Sequence, residues 1–204
     1  MKEITLLKKI GKGERYYLYL DEQFFGVFEA EILARHQLKT GQRFDEEFFE
    51  KLKIENGDYA CFNRGLSVLE KSMKSEKMLS DYLREKGYPQ ECIDRAMEKI
   101  KDYGYIDDQA FCENYINCHL SKSKRKLKFD LASKGIKEEI IEEKLALIDD
   151  ETERENCFAL ARKYMKNKEF DIKTKQKFCA HLSGKGFGFD TILNAWEELS
   201  SDRS

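Results

Sequence analysis

Three Lys-Gly pairs set the terms for what this chain can fold into: Lys86-Gly87, Lys134-Gly135 and Lys185-Gly186. When the sequence is aligned on the glycines, agreement extends well beyond the pairs. Four positions before stand Leu83, Leu131 and Leu182, and eight before stand Leu79, Leu127 and Phe178. One position after are Tyr88, Ile136 and Phe187, and six after are Ile93, Ile141 and Ile192. Ten after come Met97, Leu145 and Trp196, and thirteen after come Ile100, Ile148 and Leu199. Twelve before, Ser75, Ser123 and Thr174 are residue types that cap helix N-termini.

The pattern has a mechanical meaning. A capped helix of about three turns ends at Lys-Gly, where glycine adopts the left-handed C′ conformation that other residues resist. The apolar residue after it packs back, and a second amphipathic helix follows with helical spacing of its apolar positions. A further helical stretch precedes each unit, at about Arg64 to Lys74, Gln109 to Leu120 and Thr152 to Lys166. The expected fold is therefore mainly α: three tandem three-helix repeats forming an elongated array. The glycines lie 48 and 51 residues apart, slightly longer than HEAT-type periods. A unit of that size buries its apolar face poorly alone, so neighbours must stack. Charged residues are 37% of the chain against about 25% on average, which suits such a surface-rich architecture. The single proline, Pro89, leaves long helices uninterrupted.

The N-terminus follows a different grammar. Ile4 to Ile10, Tyr16 to Leu20 and Phe24 to Phe28 read as strands, with turns at "GKGE" (11–14) and at Asp21-Glu22-Gln23. "EAEILARHQL" has helical spacing and "KTGQRF" returns to an extended piece. From Asp45 a helix is expected to about Lys53, with a break near Asn56-Gly57 and resumption to about Lys74. The expected domains are a small β-rich segment at 1–45 and helical repeats at 46–103, 104–150 and 151–204.

Chemistry is sparse. The six cysteines form no CxxC pair and have no histidine at zinc-ligand spacing, which points to reduced, half-buried thiols in a cytosolic protein. "MKEITLLKKI" lacks the unbroken apolar stretch of a signal peptide, and no run approaches membrane-spanning length. Asp107 and Asp108 are paired carboxylates, yet a helix cap ahead of Gln109 explains them more simply than an acid–base dyad. The histidines His36, His119 and His181 are scattered, and "GKG" at 11–13 lacks the frame of a phosphate loop. Trp196, Tyr103, Tyr105, Phe111 and Tyr115 fit repeat core positions better than a base-stacking platform. The expectation is no catalytic site, no metal and no cofactor.

What stands out is charge. The net charge is −2, which rules out a uniformly basic nucleic-acid coat, yet "KSKRKLK" (122–128) places five basic residues in seven. A second basic series, "KYMKNKEFDIKTKQK" (163–177), precedes the third Lys-Gly, and the strongly acidic "KEEIIEEKLALIDDETERE" (137–155) lies between. Basic stretches that recur at one repeat position align along one edge when repeats stack. The candidate partner-binding residues are Lys122, Lys124, Arg125, Lys126, Lys128, Lys173, Lys175 and Lys177. Helical geometry is expected to send Lys124, Lys128 and at least one of Arg125 and Lys126 outward. Gly87, Gly135, Gly186, Asp107 and Asp108 are candidate structural residues. Such an edge suits a phosphate backbone or an acidic protein surface.

"GYIDDQAF" (104–111), followed by "LASKGI" (131–136) and "KGFGFDTI" (185–192), resembles the RecX family of bacterial regulators of the RecA recombinase. "YYLYLDEQFFGVFEAEIL" is similar to the β-containing extension of some members, so the resemblance covers nearly the whole chain. Before the second Lys-Gly the family often has a Gly-Pro-Arg-type run, where this chain has Ser123-Lys124-Arg125-Lys126. The resemblance implies binding within the groove of the RecA–DNA filament and inhibition of recombinase, ATPase and coprotease activities in DNA repair and the SOS response. The expected protein is a cytoplasmic monomer without cofactor. The competing reading is a stand-alone nucleic-acid-binding helical module, against which the near-neutral charge and the acidic tract argue.

Overall fold

The structure, a computed structural model, describes residues 1–201. Among them are four strands and ten helices, divided into two compact units, Met1–Ile106 and Asp107–Ser204.

The first unit opens with β1 (Lys2–Lys9), β2 (Arg15–Leu20) and β3 (Gln23–Glu29), then α1 (Ala30–Arg35) and β4 (Arg43–Phe44). The strands form one antiparallel sheet in the order β3-β2-β1-β4. Asp21 and Glu22, both at positive φ, make the two-residue turn between β2 and β3, a geometry that matches strand twist. Neither is glycine, so the turn is held from outside. Asp21 Oδ1 accepts from the Glu3 amide at 3.0 Å, and the Glu22 amide donates to Thr5 Oγ1 at 2.9 Å. Thr5 is free for this because the β1–β2 register slips between Ile4 and Leu6.

Helix α2 (Glu46–Leu69) is capped by Asp45, whose side chain accepts from the Phe48 amide. Phe49 and Leu52 in its first turns close the sheet's core with Ile4, Leu18, Phe28 and Ile32. Cys61, further along, belongs to a second core with Leu79 and Leu83 of α3 (Glu76–Glu85) and Ile93, Met97 and Ile100 of α4 (Gln90–Asp102). One helix thus serves both the sheet and the first three-helix repeat.

The expected break at Asn56-Gly57 is absent; α2 runs through it and stops at Leu69, short of Lys74. Both residues have tertiary uses that outweigh their poor helix propensity. Asn56 seals the β3 edge, accepting from the Glu29 amide at 2.8 Å and donating to the Val27 carbonyl at 3.1 Å. A Cβ on Gly57 would lie 3.3 Å from Cys92 Sγ, and one on Gly65 would lie 2.7 Å from Ile100 Cδ1. The two glycines let α4 run closely alongside α2, which explains why they sit in a helix interior.

The second unit contains α5 (Asp108–Cys118), α6 (Lys124–Ser133) and α7 (Glu138–Ala146), then α8 (Asp150–Met165), α9 (Ile172–Gly184) and α10 (Phe189–Ser201). Phe111, Cys112, Leu127, Leu131, Ile141 and Leu145 are buried in the first set, and Cys157, Phe178, Leu182, Ile192 and Trp196 in the second. Gly87, Gly135 and Gly186 have φ of +84°, +84° and +91°. Each terminates its helix in the same way: the glycine amide donates to Arg84, Ala132 or Ser183, and the next amide to Leu83, Leu131 or Leu182.

Two expectations need correction. Thr174 is not an N-cap. Helix α9 starts three residues earlier and is capped by Asp171, which accepts from the Thr174 amide. Equal offsets assumed equal helix lengths, but α9 has 13 residues against 10 in α3 and α6. Tyr103 and Tyr105 are not core residues; they are 65% and 56% exposed at the end of the first unit. Tyr115 is half-buried, while Phe111 and Trp196 are buried.

Candidate docking surface

Asp107 caps α5, its carboxylate accepting from the Gln109 and Ala110 amides at 2.8 and 3.0 Å. Asp108 is the first residue of that helix, where a negative charge favours the N-terminus. Among the described residues, no three His, Cys, Asp or Glu side chains come together as a metal-holding group, and no helix is long and apolar enough to cross a membrane. The thiols Cys61, Cys112 and Cys157 are fully buried, one in the first helix of each repeat. Burial pushes Cys61 up to about 12 and Cys157 up to about 11, so neither is a thiolate near neutrality.

The basic knot at 122–128 begins at a buried cap. Ser123, 2% exposed, accepts from the Lys126 amide, and its own amide donates to the Lys185 carbonyl. A Cβ on Gly186 would collide with Ser123 Oγ and stand 2.7 Å from Lys126 Cβ. The Lys124 amide donates to Glu153 of α8 at 3.0 Å. The start of α6 is therefore where the second repeat fastens to the third, and the local sequence serves that joint.

The charged heads of the knot turn to partners in the same unit. Lys122 Nζ reaches Asp130 at 2.7 Å and Tyr115 Oη at 3.1 Å, and Lys126 takes the other Asp130 oxygen at 3.3 Å. Burial alone would raise the Asp130 carboxyl, but hydrogen bonds from Lys122 and Lys126 outweigh it and hold the group below its ordinary value. Lys124 pairs with Asp150 at 3.0 Å. Lys128 pairs with Glu138 and Glu142 at 2.7 and 2.9 Å, and its ammonium is raised chiefly by the Glu138 bond. Among the described residues, Arg125 alone of the five is exposed and makes no ion pair. Lys124 and Lys128, expected to point outward, are 27% and 43% exposed and carry ion pairs there: the acidic tract at 137–155 folds back onto them.

The second series is different. Lys173 and Lys177 on α9 are exposed and form no ion pair among the described residues, and the same holds for Lys163 on α8 and Lys166 just past its end. Lys175 is half-buried with its ammonium 5.9 Å from the Trp196 ring. Arg162 lies over Phe158 at 4.9 Å. Sequence reasoning missed three residues that decide this contrast. Asp130 was legible as the i+4 neighbour of Lys126, whereas Asp150 and Glu153 reach α6 only through the packing of α8.

The fold defines a tandem three-helix-repeat protein whose last repeat carries exposed lysines. Three models describing the first, second and third three-helix domains of RecX match residues 61–99, 107–145 and 151–196. The regulatory protein RecX of Clostridium perfringens (strain 13) is 35% identical over 92% of this chain and 91% of its own, and that of Clostridium tetani is 33% identical over 98% of both. The chain belongs to the RecX family of regulatory proteins. A crystal structure of a regulatory protein RecX aligns with a TM-score of 0.64 at 23% identity, covering 94% of this chain and 97% of the other. RecX from Lactobacillus salivarius aligns at 0.58 with 25% identity, over 72% and 98%.

Proposed function

We propose that the chain is a noncatalytic, monomeric cytoplasmic regulator that binds the RecA recombinase as its filament on DNA and inhibits it. The observation that carries the reading is the set of four exposed lysines of the third repeat, Lys163, Lys166, Lys173 and Lys177, that make no ion pair among the described residues, in a chain of the RecX family. Among the described residues, Lys163, Lys166, Lys173 and Lys177 present charge without an ion-pair partner, as a surface that meets phosphate or acidic protein requires. Arg125 is a further exposed cation; Lys124 ties the second repeat to the start of α8, while Lys122, Lys126 and Lys128 are paired within the second repeat, and these four contribute to docking only indirectly. The DNA-dependent ATPase of the host's RecA, measured at saturating protein, is expected to fall. A normal rate would sink the assignment. Affinity for RecA-coated DNA should exceed that for naked single-stranded DNA at physiological salt, and equal affinities would favour the stand-alone nucleic-acid module instead.

A further inference from the structure

The first unit holds a concave site that the regulatory reading does not use. A pocket of about 560 Å³ is lined by residues that include Arg15 at the start of β2, Arg64 and Ser67 on α2, Lys86 at the end of α3, and Glu29. We infer that this pocket binds a phosphate group, taken from free phosphate or from a nucleic-acid backbone.

Three cations border the pocket, and among the described residues none of them forms an ion pair. Two are held in place by one ring: Arg64 lies 5.6 Å and Lys86 5.2 Å from the centre of Tyr82. Each ring contact favours rotamers that keep the exposed cation beside the pocket, so less rotamer entropy remains to be lost on binding. Two of the cations are guanidiniums, whose planar forks match phosphate oxygens bidentately, and the Asn63 amide on the same wall adds a neutral donor. Tyr88, in the turn between α3 and α4, ties the wall to α2 by donating its Oη to the Ala60 carbonyl at 3.3 Å.

Two carboxylates, Glu14 and Glu29, also line the pocket and oppose an anion. Burial pushes the Glu29 carboxyl up, with Arg15 opposing and Glu14 adding to the rise, so its negative charge is already disfavoured there. Three cations against two carboxylates leave the pocket with a positive balance in a chain that is negative overall. The site shares no residue with the lysine series of α8 and α9, so its test is independent of the proposed function.

Titration of the ¹⁵N-labelled full chain with inorganic phosphate at constant ionic strength should shift the amide signals of Asn63, Arg64, Ser67, Lys86 and Tyr88 saturably. The double variant Arg64→Gln, Lys86→Gln should weaken that binding at least about tenfold while the spectrum stays dispersed. Glu29→Gln, which leaves its amide bond to Asn56 intact, should tighten it. A short oligothymidylate that shifts the same signals identifies the backbone as a source of the phosphate; binding of inorganic phosphate alone identifies a free phosphate group. Absence of saturable shifts, or shifts that persist unchanged in the double variant, would overturn the inference.

Discussion

Residues 122–128 and 163–177 look interchangeable in the sequence, each a lysine-rich run ahead of or within the second helix of a repeat. In the fold they are opposites. In the first run four of five cations meet carboxylates from α6, α7 or the start of α8. In the second, Lys163, Lys166, Lys173 and Lys177 meet none among the described residues. The difference teaches that local density of positive charge says little about available charge. The acidic tract between the two runs folds back on the first, whereas the carboxylates within the second run are Glu169 and Asp171, and Asp171 is spent as a cap.

The comparison breaks most readily at the joint. Gly186→Ala places a methyl group against Ser123 and Lys126 at a left-handed position, so strain of about 1–2 kcal/mol combines with overpacking of about 1–3 kcal/mol. Gly87→Ala at the equivalent position meets nothing within 4 Å and should show the left-handed cost alone. Urea unfolding of the two variants measures the gap, and equal losses would mean that the second and third repeats are not fastened at the start of α6.

Asp130→Asn should be the next largest, at about 1–3 kcal/mol, because it leaves a mostly buried Lys122 without its counter-charge. The pH dependence has a definite sign. Since the Asp130 carboxyl is held below its ordinary value, its stabilisation is complete above about 3.9, the unperturbed carboxylate pKa, and is lost as pH falls through the lower folded value. The variant should lack that part of the acid limb in a melting-temperature profile.

Lys173→Glu with Lys177→Glu should weaken filament binding by more than about tenfold, or about 1.4 kcal/mol, with the melting temperature nearly unchanged. A glutamate in the first turn of α9 even suits the helix N-terminus. Added salt should weaken the native protein more steeply than the variant. Binding that survives the double reversal would show that exposed lysines here are only solvated.

The smallest effect belongs to Lys128→Ala. Its two partners are more than 60% exposed, and such pairs contribute about 0–1 kcal/mol, so both stability and filament affinity should change little. Reversing Lys124 and Lys128 to glutamate is a poorer probe of docking than it looks, because it also sets like charges against Asp150, Glu138 and Glu142.

The sequence by itself determined the repeat. A helix that ends on a left-handed glycine is closed by hydrogen bonds spanning five residues, so Gly87, Gly135 and Gly186 announce themselves without tertiary information. The strands were legible for a similar reason, since alternation and turn residues are local. Asn56-Gly57 was misread because their local preference is to break a helix, while their use depends on β3 and α4, 27 and 35 residues away along the chain. The pairing of Lys124 and Lys128 likewise waited on tertiary structure. Coulomb pairing depends on distances of about 3–4 Å between side chains, and only the packing of α7 and α8 against α6 brought Glu138, Glu142, Asp150 and Glu153 within that reach.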